Sequence, residues 1–189
     1  MFPCNFNPQN PFVPYVAGIV DVYKRCIYQV QLYGPTNFAP TIRESTRMAQ
    51  QNMDGSNYFI LLIITDGVIT DMDQTVDAIV TASYTPLSII IVGVGNADFE
   101  AMDELDCDDG LLKSSISGKT AQRDIVQFVP MNKFAHAARG DNLQNTALSQ
   151  EVLAEIPGQV TSWARANKII PNPDFAPQTN LDAPPPYQY

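Results

Sequence analysis

The chain has 189 residues, 45% of them apolar, and a formal net charge of −9. This length and apolar content support one buried core and exclude a disordered protein. Acidic residues are in excess, and the lysine and arginine residues are scattered along the chain. We therefore expect no nucleic-acid partner. No window approaches the roughly 18 apolar residues of a bilayer span, so we expect no direct membrane insertion.

The three cysteines, Cys4, Cys26 and Cys107, are odd in number and form no C-x-x-C motif. Neither a disulfide framework nor a zinc site is therefore expected, and a cytoplasmic location is predicted. The composition along the chain divides it into three parts. Residues 1–9 form a leader rich in proline and asparagine, residues 10–170 form the domain, and residues 171–189 form a disordered, Pro-rich tail.

Two helices are predicted before any strand. Apolar residues recur at helical spacing up to Gly34, and they are Val16, Ile19, Val20, Tyr23, Ile27 and Val30. Thr41 and Glu44 have the spacing of a capping box, which predicts a second helix from there to about Gln51, entered through Pro40.

Three apolar runs predict strands, at residues 58–65, 87–93 and 124–129. The first run is continuous rather than alternating, which is typical of a strand covered on both faces. Helical stretches separate the runs at about 72–84 and 99–105. Strands that alternate with helices indicate a parallel sheet, so the expected fold class is α/β, a partial doubly wound sheet with flanking helices.

A last helix is predicted over about 146–167, kinked at Pro157. The strand at 58–65 has the character of a central strand, yet only the run at 87–93 can pair with it from within this chain. About four of its residues would point both N–H and C=O to the open side. Another chain could cover that side, or the edge could stay exposed and prone to aggregation, but we expect a segment outside this sequence to pair there.

Five motifs in order resemble the copine family in its C-terminal von Willebrand factor A-like domain. They are Gln31–Pro40 (QLYGPTNFAP), Leu61–Val68 (LLIITDGV), Ser88–Gly95 (SIIIVGVG), Arg123–Pro130 (RDIVQFVP) and Val152–Pro157 (VLAEIP). The resemblance implies a von Willebrand factor A-like, Rossmann-like sheet, represented here by its later portion. Copines typically carry two calcium-dependent phospholipid-binding C2 domains before this domain, and no stretch of this sequence resembles one.

The resemblance also implies a divalent metal site at the carboxyl ends of the strands. Thr36 matches the family's loop threonine and Asp66 its loop aspartate, whereas the family's Asp-x-Ser/Thr-x-Ser loop has no match here. One hydroxyl and one carboxylate are too few ligands for Mg²⁺ or Mn²⁺, so we expect an incomplete site that binds either metal weakly. By family resemblance, calcium binding belongs to the C2 domains. Beyond this weak metal binding, no cofactor is expected.

Some acidic residues have simpler interpretations. From its position alone, Asp66 could equally be a metal ligand or a turn-forming residue. The match to the family motif favours a vestigial ligand position. Asp71 and Asp73 are expected in the acidic first turn of the next helix. The acidic run from Asp98 to Asp109 lacks the ligand spacing of an EF-hand loop, which favours a solvated acidic face.

No catalytic residues are predicted. The single histidine, His136, accompanies no nucleophile motif. Gly93 and Gly95 form part of a glycine-rich turn in which Asp98 occupies the third glycine position of a dinucleotide-binding loop, where its carboxylate would repel a pyrophosphate. We therefore expect a protein that is not an enzyme.

The tail contains the element Pro184-Pro185-Pro186-Tyr187, the form that WW domains bind, so Pro184, Pro185 and Tyr187 are candidate partner-binding residues. The expected function is protein interaction, in a family that recruits partners to calcium-loaded phospholipid membranes, including the plasma membrane. Two alternatives remain. One is a ubiquitin-linked regulator acting through the domain or the tail, and the other is a non-functional gene fragment whose Met1 is an internal methionine.

Overall fold

The computed structural model describes residues 2–31, 33–106, 110–134 and 141–171, with the side chains of 141–146 left out of the description. The described part contains three strands, β1 (Phe59–Thr65), β2 (Leu87–Gly93) and β3 (Val126–Pro130). It contains six α-helices: α1 (Tyr15–Ile27), α2 (Ala39–Ala49), α3 (Met72–Ala82), α4 (Glu100–Asp103), α5 (Asp141–Leu153) and α6 (Ile156–Ala166). Two single-turn 3-10 helices follow α2 and β3.

The strands form one parallel sheet in the order β1-β2-β3, with Phe59 opposite Leu87 and Ile89 opposite Val126. Helices connect consecutive strands, as parallel pairing requires. The structure thus confirms the predicted α/β class, and the three predicted runs coincide with the three strands to within about two residues.

The core lies mainly between the sheet and the pair α2 and α3. Apolar side chains of β2 and β3 meet those of the helices there, among them Ile89, Ile91, Val126, Ile42 and Ile79. The ring of Phe99 lies so close to Gly93 that an added Cβ would approach it to 2.9 Å. Packing of the Phe99 ring therefore requires a residue without a Cβ at position 93, at the end of β2. On the opposite face, α6 presents Trp163 edge-on to Tyr58, with ring centroids 6.0 Å apart.

The prediction that β1 is a central strand covered on both faces is wrong for the described part of the chain. β1 is an edge strand, and burial alternates along it. Phe59, Leu61 and Ile63 pack against the core, whereas the other face is exposed. β2 is the central strand, and both of its faces are covered. An apolar run shows what a strand can bury, while burial itself depends on the neighbours that the chain supplies.

Helix α1 turns most of its apolar residues to solvent. Its buried residues are Val22 and Cys26, and the exposed residues of its stripe are Val16, Ile19, Val20, Tyr23 and Ile27. The N-terminal residues pack against it: Cys4 and Phe6 line a cleft with Val22. Burial, and after it a hydrogen bond with Cys4, raises the pKa of the Cys26 thiol. The described cysteines, Cys4 and Cys26, are both free thiols.

Two helix boundaries differ from the sequence prediction. Helix α2 begins at Ala39 with Pro40 inside its first turn, and Glu44 pairs with Arg47 at 2.6 Å rather than closing a capping box. The single C-terminal helix predicted over about 146–167 is two helices in the structure. Helix α5 ends at Leu153 and α6 starts at Ile156. Pro157 lies in the first turn of α6, where proline is tolerated because its missing N–H would have no helical partner.

Candidate functional site

The structure brings the loop of Thr36 against the loop that follows β1. The Thr36 carbonyl accepts hydrogen bonds from the Thr70 amide (3.0 Å) and the Thr70 hydroxyl (2.9 Å). The Thr36 hydroxyl lies 3.1 Å from the point where a Cβ on Gly67 would be. Thr36 is therefore beside the turn that contains Asp66, at the carboxyl end of β1, the edge where open α/β sheets bind ligands.

Asp66 itself is exposed. A shallow cleft of about 320 Å³, lined by Thr36, Asn37 and Thr65 among others, adjoins the turn. Thr36 and Asp66 offer one hydroxyl and one carboxylate, whereas Mg²⁺ requires about six oxygen ligands. Metal binding at these two residues stays a prediction.

Asp71 has a role that the sequence prediction missed. Its carboxylate accepts hydrogen bonds from the amides of Phe38 (2.9 Å) and Ala39 (3.0 Å), at the N-terminus of α2. The helix N-terminus carries unpaired N–H groups and a partial positive charge, so this contact stabilises α2. Asp71 also precedes α3 directly, so a single carboxylate fixes the loop of Thr36 relative to both helices. No local sequence signal marks a cap supplied from 33 residues away.

Some of the other acidic residues are exposed at the surface, and others accept hydrogen bonds from distant segments of the chain. Asp73 is in the first turn of α3, as predicted, and accepts a hydrogen bond from the Ser115 hydroxyl at 2.9 Å. The side chains of Asp98, Glu100 and Asp103 are exposed, which fits a solvated acidic face. Asp106 departs from that prediction because it is half-buried and accepts a hydrogen bond from the Phe128 amide of β3.

The open edge of β1 is the most extensive unpartnered surface of the sheet in the described residues. Ile60, Leu62 and Ile64 are 51%, 53% and 65% exposed. The Phe59 amide donates a hydrogen bond to the Pro86 carbonyl, and the Thr65 carbonyl accepts one from the Val94 amide. Alternate residues from 59 to 65 therefore direct their main-chain groups towards β2. In a parallel ladder the residues between them point both N–H and C=O the other way. The three exposed residues therefore also present their main-chain groups at the open edge.

Several predicted residues lie outside the described part of the chain. They are Cys107, His136 and the tail residues Pro184, Pro185 and Tyr187. The predicted boundary between the domain and the tail, after residue 170, stays a prediction, as does the nature of the tail.

A parallel sheet with flanking helices, with a threonine loop and an aspartate loop at the carboxyl end of one strand, defines an α/β domain of the von Willebrand factor A-like class. The family model described as Copine matches residues 1–172. The chain belongs to the copine family, as its motifs predicted. Membership supports a copine-type protein-interaction role.

Within the described residues, no helix is both long enough and apolar enough to cross a bilayer.

Proposed function

We propose that this chain is a non-enzymatic interaction domain that binds a partner polypeptide along the open edge of β1. The observation that carries the proposal is that Ile60, Leu62 and Ile64 combine exposed apolar side chains with main-chain groups that have no strand partner among the described residues. Edge strands with these two properties are templates for the addition of a further strand.

The chemistry of β1 specifies the occupant. The strand has the sequence FILLIIT, with no charged residue and a single polar one, Thr65. A charged side chain facing Leu62 would lose hydration without gaining an ionic partner on this strand. We propose an extended, apolar segment of a partner protein as the occupant, in place of the segment outside this sequence that was expected from the sequence alone. Its main chain would pair with β1 and its side chains would cover the exposed face.

A defined peptide tests this proposal. The probe is a fluorescent, lysine-flanked copy of β2 (LSIIIVG), a sequence that already pairs with β1 in the fold. A matched probe carries proline at the central isoleucine, which removes an N–H and disfavours strand pairing. We expect fluorescence anisotropy to show binding of the first probe and at least about tenfold weaker binding of the second.

Equal binding of the two probes, or no binding by a folded chain, would contradict the proposal. Sedimentation velocity provides a further check. A concentration-dependent dimer that the probe dissociates would identify a second copy as the occupant and would overturn the assignment to a partner protein.

The family role suggests a finer function. Copines recruit partners to calcium-loaded phospholipid membranes, and we propose that this chain supplies the partner-binding step of such recruitment at the cytoplasmic face of the plasma membrane. The membrane-binding step belongs to C2 domains. Loss of a bound partner from calcium-loaded vesicles, when the β1 edge is blocked in a copine that carries C2 domains, would support this division of labour.

Two alternatives have separate tests. A ubiquitin-linked regulator would change the ubiquitination of a bound partner in a reconstituted reaction, whereas an interaction domain alone would leave it unchanged. A gene fragment would fail to fold. A cooperatively unfolding monomer of residues 1–189 would therefore count against that alternative.

At Thr36 and Asp66 we predict weak binding of Mg²⁺ and Mn²⁺, because two side-chain ligands leave most of the coordination sphere to water. Calorimetric titration with either metal should give no submillimolar dissociation constant that depends on Asp66. A submillimolar site that Asp66→Ala abolishes would show that the loop carries enough ligands after all.

The tail supplies a separate prediction. If Pro184, Pro185 and Tyr187 form a WW-binding element, the full chain will retain a purified WW domain on beads and Tyr187→Ala will lose it. Tyr189→Ala is the matched control, because it removes a tyrosine two residues beyond the motif. Equal retention by the wild-type chain and Tyr187→Ala would eliminate the motif as a ligand.

A further inference from the structure

The N-terminal segment brings Cys4 against the part of α1 that carries Cys26. Cys4 lines a cleft together with Val22 of α1 and with Gln29, which follows the helix. Val22 is one helical turn before Cys26, and the Gln29 amide donates to the Cys26 carbonyl at 2.9 Å, one turn after it. The cleft is therefore centred on the turn of Cys26.

Burial along α1 shows the same placement. The buried residues of this helix are Val22 and Cys26, at 8% and 5% exposure, and they share one face, four residues apart. The Cys26 thiol and the Cys4 thiol share a hydrogen bond. Both are free thiols, and Cys4 is exposed. Two thiols from separate segments are thus in contact, and one of them is open to solvent.

Local contacts hold the segment around Cys4 in a defined shape. The Phe6 amide donates to the Pro3 carbonyl at 2.9 Å, and the Asn5 side chain donates to the Asn10 carbonyl at 2.8 Å. The rings of Phe2 and Phe6 stack with centroids 5.8 Å apart. Because this turn and the helix are already ordered, joining the two thiols costs less entropy than closing a flexible loop.

We propose that Cys4 and Cys26 form a reversible disulfide that ties the N-terminal segment to α1, a redox-sensitive device that goes beyond the proposed interaction function. The oxidant is a low-molecular-weight disulfide. Cytoplasmic disulfides are typically of this transient, redox-sensing kind. The reduced chain holds the segment by noncovalent contacts, and the oxidised chain holds it covalently.

Exposure sets the order of the two exchange steps. The Cys4 thiolate attacks one sulfur of the oxidant, forms a mixed disulfide and releases one thiolate, which takes up a proton. The Cys26 thiol then loses its proton and attacks the Cys4 sulfur, so the mixed bond breaks and the second thiolate leaves. Two thiols are oxidised, and the oxidant gains two electrons. Burial raises the pKa of Cys26, which keeps this thiol protonated and shielded until the mixed disulfide forms beside it.

Oxidation of the full chain by glutathione disulfide, followed by tryptic digestion and mass spectrometry, tests the proposal. Trypsin cuts after Lys24 and Arg25, so Cys4 and Cys26 fall in separate peptides, and Cys107 falls in a third. We expect the linked peptides of Cys4 and Cys26 as the main crosslinked product, and dithiothreitol should restore both thiols.

Cys107→Ser is the matched control, because it leaves both proposed partners in place. It should give the same linked peptides and an intact mass lower by about 2 Da, since two hydrogens are lost. Cys26→Ser should instead stop at the mixed disulfide on Cys4. At a fixed ratio of glutathione to its disulfide, the ratio of crosslinked to free thiols should be at least about tenfold higher in the native chain than in urea.

A ratio that urea leaves unchanged would overturn the proposal, because the pairing would then owe nothing to the fold. A folded chain that carries glutathione on Cys4 and yields no linked peptides would also overturn it, since the two thiols would then be unable to reach each other.

Discussion

Leu62→Lys is expected to weaken binding of a strand-forming probe at the β1 edge about tenfold or more, while leaving the domain folded. Leu62 is at the middle of the open strand and is 53% exposed, so lysine there is solvated in the free chain. Adding a strand would press the ammonium group against apolar side chains and remove its water. Charged residues, lysine above all, protect natural edge strands in this way.

Ile116→Lys is the matched control. Ile116 is 57% exposed, in the turn between α4 and β3 and outside the sheet. This variant should bind the probe with wild-type affinity, and both variants should keep their free energy of unfolding within about 0.5 kcal/mol of wild type. Equal binding by Leu62→Lys and wild type would place the docking surface elsewhere.

Arg123→Ala is expected to lower the free energy of unfolding by about 2 to 4 kcal/mol, out of a total of about 5 to 15 kcal/mol for a domain. The side chain is 9% exposed, and its guanidinium donates to the carbonyls of Thr85 and Leu87, each at 2.8 Å, and to that of Gln159 at 3.3 Å. Burial lowers the pKa of Arg123, which shows the cost of holding this charge inside.

Truncation leaves the Leu87 carbonyl oxygen without this donor and removes the guanidinium link between α6 and the start of β2. The Thr85 and Gln159 carbonyls keep a second donor, the Leu87 amide (2.8 Å) and the Ser162 hydroxyl (2.9 Å). Chemical denaturation measures the loss, and Arg165→Ala is the control, because Arg165 is an exposed residue of the last turn of α6. A change below about 1 kcal/mol for Arg123→Ala would mean that water replaces the guanidinium in these contacts.

The sequence predicted the strands well because each is an apolar run bounded by turn residues, as with Leu87–Gly93 after Pro86. It also predicted that one side of β1 stays open, because no fourth run was available to pair with it. The prediction that β1 is buried on both faces was wrong. Period and apolarity report which side chains a strand can bury, and only the tertiary arrangement decides that Ile60 and Leu62 face solvent.

Residue roles at the site were predictable only where a motif encodes them. Family motifs singled out Thr36 and Asp66, and the structure places their loops side by side, while their role as metal ligands stays a prediction. Asp71 and Arg123 act across long sequence separations, on α2 and on β2. A charged or polar residue at the border of a buried run, such as Arg123 before β3, is the available signal for such contacts.

Amide hydrogen exchange within β1 tests the open edge most directly. In the dilute, monomeric chain we expect the amides of Ile60, Leu62 and Ile64 to exchange fast, those of β2 to exchange slowly, and the strand probe to slow the first three selectively. Slow exchange at Ile60, Leu62 and Ile64 before any probe is added would show that the edge is already paired, and would contradict the account.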